Sequence, residues 1–351
     1  MVAEGAAAGG VELCIVIRRM KSNTRNSAMK TIPQIFEGSL TLFFSPVLAC
    51  AVGTAMLFTV TLQSRAADAQ RTFATPDEAV AALRTAAKNQ DQAALRAIFG
   101  PELEDIENPD RVQATNDISD FAASMDETFH ISHESDTKCV LEVGSNSWPF
   151  AIPLVKRDGK WSFDTAAGGD ELLNRRIGKN ELSVLEVMRA YVNAQRDYAS
   201  KDRDGDQVLE YAQRLASTPG KKDGLYWDPE LDGEISPFGP FVAHAQAEGY
   251  FGETPIDKYS PQPFHGYLFK ILTRQGKHAP GGKYDYIING NMIGGFALVA
   301  WPAEYGDSGI MTFIVNQQGR VYQKDLGTGT AKAASKMSEY DPDSSWHSSP
   351  D

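Results

Sequence analysis

Between residues 75 and 127 the apolar side chains recur at helical spacing. In TPDEAVAALRTAAKNQ, Ala79, Val80, Leu83 and Ala87 share one face, Thr75 stands at the N-cap and Pro76 at the first helical position. DQAALRAIFG repeats the pattern, with Leu95, Ile98 and Phe99 inward and Gly100–Pro101 as the stop. NPDRVQATNDISDFAASMDE predicts a third helix. The pattern then changes. TFHISHE, KCVLEVG, WPFAIPLVKRD and KWSFD predict short strands, and Asp158–Gly159 supplies the positive φ of a hairpin turn. Helices followed by an antiparallel meander predict an α+β module.

A second module follows. In NELSVLEVMRAYVNAQRDYAS, Leu182, Leu185, Met188, Tyr191, Val192, Tyr198 and Ala199 form an amphipathic stripe, with Asn180 as its expected cap. DQVLEYAQRLA predicts a shorter helix with Val208, Leu209, Ala212 and Leu215 inward. Residues 225–265 are irregular and rich in Gly, Pro and aromatics, a composition that argues for a functional or self-packed stretch. HGYLFKILTR, KYDYIIN, GGFALVAWP, GIMTFIVN and RVYQKD then predict an antiparallel sheet of four or five strands. The expected organisation is a leader at 1–69, an α+β domain at 70–178, a helix-plus-sheet domain at 179–330 and a disordered tail at 331–351.

The leader changes the picture. Residues 38–64 carry no charge, and Arg18, Arg19, Lys21, Arg25 and Lys30 precede them. A basic stretch before an apolar run predicts export, either by a cleaved signal ending at the ADA of 67–69 or by an uncleaved anchor. Either way residues 70–351 are expected outside the cytoplasm, in the periplasm or held at the outer side of the inner membrane. A membrane contact is then expected only through an uncleaved leader. The whole chain has a net charge of −12; without six basic and four acidic leader residues it is −14. Such a surface repels nucleic-acid phosphates and anionic headgroups. Cys139 is the one cysteine beyond the leader, so no internal disulfide is expected there.

The chemistry most open to question is SKDRDGDQVLEYA. Asp202, Asp204 and Asp206 fill positions 1, 3 and 5 of a calcium loop, and Glu210 falls at position 9. Gln207 replaces the turn glycine and Gln213 the bidentate glutamate. These residues are expected either to hold Ca²⁺ weakly or to end one helix and cap the next, with Asp206 as the cap. His130, His133 and Cys139 lack a zinc spacing and are expected as incidental strand residues. GDSG at 306–309 is expected as a turn, because no supporting His and Asp motif accompanies it. The aromatics of LYW (225–227) and GYF (249–251) are expected to stack on a ligand or to pack the irregular stretch onto the sheet.

Three resemblances follow from these motifs. Residues 70–178, with the helices of TPDEAVAALRTAAKNQDQAALRAIF and a sheet ending DGKWSFD, resemble cone-shaped domains related to nuclear transport factor 2. Residues 181–326, with SGIMTFIVNQQGRVYQKD, resemble the soluble part of type IV pilins and pseudopilins. Residues 70–326 as a whole resemble an exported bacterial family known as domain of unknown function 2950, through GGDELLNRRIGKNEL, YASKDRDGDQVLEYAQRLASTPGKKDGLYW and PAEYGDSGIMTFIVNQQGRVYQKDLG. That resemblance implies no activity. The expectation is an exported, noncatalytic binding or envelope-structural protein with an envelope ligand or protein as partner. The alternatives are an envelope hydrolase with its site in 225–265 and a pilus or secretion accessory.

Overall fold

Thr75 Oγ1 accepts the Glu78 N–H, and the Glu78 carboxylate reaches back to the Ala74 N–H, so the first helix begins with a reciprocal cap. The computed structural model describes residues 70–203, 205–228, 233–250 and 262–349; the leader with its apolar run lies outside them. No helix among the described residues is long and apolar enough to cross a membrane.

Helices α1 (Pro76–Lys88), α2 (Gln92–Phe99) and α3 (Arg111–Glu127) form where the apolar spacing places them, with Asp91 and Asp110 capping the last two. Strands β1 (Phe129–Ser135), β2 (Lys138–Val143), β3 (Trp148–Pro149), β4 (Leu154–Arg157) and β5 (Lys160–Phe163) make an antiparallel sheet in the order β1-β2-β4-β5, with β3 on β2. Asp158 and Gly159 take positive φ in the β4–β5 turn. Helices and sheet bury a cluster centred on Phe99, Phe121, Phe150 and Phe163, whose rings meet in tilted and edge contacts.

α4 (Thr165–Tyr198) begins earlier than its apolar stripe suggests. Gly168, Gly169 and Gly178 weaken the helical signal of its first half. Gly168 is required by packing: a Cβ there would lie 2.7 Å from the Ile152 Cα. Asn180 is therefore not a cap but a buried mid-helix residue. Its Oδ1 accepts from Gln113 of α3 and its Nδ2 donates to the Ser308 carbonyl, each at 2.8 Å. One turn earlier, buried Arg176 donates to the carbonyls of Ile106 and Glu107 and to the Asp307 carboxylate. Glu181 accepts the N–H groups of Ile310 and Met311. The position 178/179, expected to divide two domains, lies inside this helix.

The second hydrophobic cluster lies around the C-terminal half of α4. Strands β6 (Tyr267–Leu272), β11 (Ala297–Pro302), β12 (Met311–Asn316), β13 (Val321–Asp325) and β15 (His347–Ser348) form an antiparallel sheet in the order β15-β13-β12-β11-β6. The short strands β7 (Arg274–Gln275), β8 (Tyr284–Asp285) and β14 (Glu339–Tyr340) make a three-stranded sheet. β9 (Ile287–Ile288) and β10 (Asn291–Met292) make a small hairpin, and α5 (Gly239–Ala247) lies in the irregular stretch. The architecture is α+β.

Two further expectations are corrected. DQVLEYAQRLA is not helical. Tyr211 bridges Met292, Ala216 bridges Tyr226, and the Gln195 side chain pairs with both the N–H and the C=O of Ala212 at 2.8 Å. Main-chain groups committed in this way are not available to a helix. The stretch 331–349 is not a disordered tail. It forms α6 (Thr330–Lys336), β14 and β15, and the Lys270 ammonium bonds the carbonyls of Ser335 and Met337 at the end of α6. Its polar composition hid these anchors, because they are supplied from β6, β7 and β13.

Gln195→Leu keeps the side-chain bulk but strands two buried backbone groups of Ala212. The expected loss is about 2–4 kcal/mol, read as a lower urea midpoint with an unchanged slope.

Candidate functional site

The aspartate loop begins four residues beyond the end of α4. Asp202 closes the loop on itself: its two oxygens accept the N–H groups of Gly205 at 2.7 Å and Gln207 at 2.9 Å. Asp206 accepts from Val208 N and from the Asn291 side chain, so it turns the chain toward β10 rather than capping a helix. Glu210 accepts the Met292 N–H at 2.8 Å. Asp204 lies outside the described residues. Asp206 and Glu210 thus share the β9–β10 hairpin, whereas Asp202 serves its own turn. Among the described residues no three His, Cys, Asp or Glu side chains gather as a metal-holding group.

Arg203, between these aspartates, turns inward with 3% of its side chain exposed. It lies over the rings of Tyr198 and Trp227 and donates to Glu234 at 2.9 Å. Lys222 and Lys201 reach the same carboxylate, at 2.6 and 3.3 Å. These cations, Lys222 foremost, hold the Glu234 carboxyl down to about 2. The Trp227 indole donates to the Glu234 carbonyl. The aromatics of LYW therefore pack: Leu225 and Trp227 are buried, and Trp227 is the platform of an ionic knot.

A second polar cluster joins the far end of the irregular stretch to α3. His265 Nε2 lies 3.0 Å from Glu248, and His244, one turn before Glu248 on α5, lies 3.4 Å from its other oxygen. The His265 contact holds the Glu248 carboxyl below its ordinary range. His265 Nδ1 is buried without a hydrogen-bond partner among the described residues. Tyr250 donates to Asp110 at 2.8 Å, and burial beside that carboxylate pushes its phenol up. Asp110, which also caps α3, carried no functional signal in the sequence. Its role here comes from contacts with residues more than a hundred positions away.

Two other expectations meet the structure differently. His133 and Cys139, expected as incidental, are cross-strand partners with Nδ1 and Sγ 3.1 Å apart; the thiol is buried, which pushes its pKa up. A buried, protonated thiol is a weak nucleophile. GDSG is a turn, as expected. Ser308 Oγ bonds the main chain of Glu304, and a Cβ at Gly309 would collide with the Tyr267 ring.

A groove among the described residues lies elsewhere, over α1 and α2. This groove, of about 490 Å³, is floored by Phe73, Ala81, Ala82, Ala86, Ala94 and Ile98. Glu78 and Asp91 on its rim are committed to the helix caps, and the Thr85 hydroxyl donates to the Ala81 carbonyl. Arg71 lies across the Phe73 ring and makes no ion pair among the described residues. The sequence shows these alanines only as a good helix; the groove forms because α2 folds back beside α1.

The Glu234 knot has a pH signature. Its folded pKa is depressed, so its contribution is complete above the ordinary value of 4.5 and is lost as pH falls toward about 2. Glu234→Gln is expected to melt below the wild type at pH 7, with the gap closing across that acidic window, as read by circular dichroism. The carboxylate is partly exposed, so added salt narrows the gap.

A protein-family model described as Protein of unknown function (DUF2950) matches residues 70–349. No curated protein and no solved structure matches the chain. The family match spans both hydrophobic clusters through β15, and it includes the aspartate loop, the Glu234 knot and the groove. The chain belongs to the DUF2950 family of proteins of unknown function.

Proposed function

We propose that this chain is an exported, noncatalytic binding protein of the cell envelope, with the groove over α1 and α2 as its ligand seat. The observation that carries this reading is the groove's composition: an alanine-lined apolar floor beside one guanidinium, Arg71, that has no ion pair among the described residues. Pockets that bind small ligands combine an apolar wall with a few placed polar groups. This floor accepts an apolar body, and Arg71 accepts a carboxylate or another acidic group at its end. The Thr85 hydroxyl donates to the Ala81 carbonyl and the Glu78 and Asp91 carboxylates serve helix caps, which supports holding a ligand rather than attacking it. The basic, then apolar, leader supports export.

A second reading, an envelope hydrolase, is favoured by one observation: the His265–Glu248 pair, with the imidazole Nδ1 uncommitted among the described residues. In that reading His265 is the general base and Glu248 orients it.

One set of variants separates the two. Apolar acids, acidic peptidoglycan fragments and short peptides are screened by thermal shift against the wild type, Arg71→Gln and Ala81→Trp. Binding is expected to raise the wild-type melting temperature by about 2–6 °C at saturating ligand, and both variants to lose the shift. Parallel turnover assays on peptidoglycan fragments and ester substrates are expected to be silent. Reproducible turnover abolished by His265→Ala would reject the noncatalytic reading in favour of the second.

A further inference from the structure

The first sheet ends in an open strand. β1 pairs with β2, and no other strand lies beside it among the described residues. The direction of its free groups follows from its neighbours. Thr128 accepts the Gly144 N–H, so the main-chain groups of Thr128, His130 and Ser132 point toward β2. Leu141, opposite Ile131, turns its carbonyl away from β1 to accept Phe150 N at 2.7 Å. The N–H and C=O groups of Phe129, Ile131 and His133 therefore point outward, with no backbone partner among the described residues.

Open edges are ordinarily blunted by lysine, proline or a short strand. FHISHES has seven residues, no lysine and no proline, and its irregularity comes only at the turn end, between His133 and Ser135. Phe129 and Ile131 share the face of Leu141 and Val143, which are buried, yet Phe129 itself is 40% exposed. The apolar face of the sheet is thus only partly covered at this edge, where Arg84 of α1 lies over the Phe129 ring. On the opposite face stand His130 and Ser132, and Glu134, at the irregularity, meets Lys138 on that side of β2.

We propose that β1 is a self-association edge, on which a second copy of this chain pairs antiparallel, β1 to β1, about a two-fold axis through Ser132. In this register Ile131 of each copy exchanges main-chain hydrogen bonds with His133 of the other, and the two sheets become continuous. His130 stands opposite Glu134 of the second copy, and symmetry repeats the pair. An axis through Ile131 would place His130 opposite Ser132, and one through His133 would place Glu134 opposite Ser132. For pairs within β1, the Ser132 axis alone among these three sets His130 against a carboxylate. Glu134 already meets Lys138 of its own hairpin through Oε2 at 2.8 Å; that pair is half exposed and leaves Oε1 for the imidazole. The occupant is a second copy because one strand carries both members of the polar pair, His130 and Glu134, so two copies complement each other about the axis.

Sedimentation velocity of the full chain in mild detergent tests the proposal. The variants are His130→Glu, Glu134→His, the double exchange and Ile131→Pro. The wild type is expected to dimerise. His130→Glu, which sets two glutamates face to face, is expected to raise the midpoint concentration about tenfold, and the double exchange to restore it. Ile131→Pro removes an outward N–H without touching the β2 ladder and is expected to abolish the dimer. Circular dichroism shows whether that variant folds; if it does not, the charge exchange decides. A wild type that stays monomeric overturns the proposal, including the case in which β1 accepts a strand from another protein. A dimer indifferent to His130→Glu and to a folded Ile131→Pro overturns it as well, because association then runs through another surface or the leader.

Discussion

A guanidinium with 1% of its side chain exposed must find partners inside the protein, and the two terminal nitrogens of Arg176 find them in two other segments of the chain, while its Nε has no partner among the described residues. The partners are the carbonyls ending the 101–106 turn and the Asp307 carboxylate of the β11–β12 connection. Removing such a charge from water costs several kcal/mol, and the cost is recovered only if the geometry is kept. Burial pushes the Asp307 carboxyl up while Arg176 opposes that shift. With Asn180 and Glu181, one turn further along α4, the helix presents a polar row that meets α3 on one side and the start of β12 on the other. This row fixes how the elements of the two hydrophobic clusters meet, because apolar packing alone would tolerate a slide that these bonds do not.

The irregular stretch after α4 depends on that helix in the same way. Gln195 supplies a ladder partner to Ala212, Tyr198 donates to the Lys222 carbonyl, and Arg203 returns to the Tyr198 and Asp197 carbonyls. Side chains here replace the hydrogen bonds that regular secondary structure would have provided. The aspartate loop belongs to this system. Three of its acidic side chains, Asp202, Asp206 and Glu210, accept main-chain or amide donors that hold the turn and join it to β10.

The early helices and both meanders were legible because their signals are local. Thr75, Asp91 and Asp110 are caps within three residues of the groups they bond, and Asp158–Gly159 is a turn by its own backbone preference. The first half of α4 was obscured by glycines that a close contact with Ile152 requires. The expected helix after the aspartate loop was obscured in the opposite sense: its apolar spacing is helical, but Gln195, Tyr226 and Met292 compete for its main chain. The segment 331–349 read as a tail because its anchors, Lys270 above all, lie far away in sequence.

From sequence alone came the α+β class, the first three helices, the strands of both meanders and the turn at GDSG. Each rests on side chains within a few positions of one another. The tertiary structure decided which polar residues work together: Asp110 with Tyr250, Glu234 with three cations, and Arg71 beside an alanine floor. Those groupings depend on which elements pack side by side, and no short stretch of the chain records that.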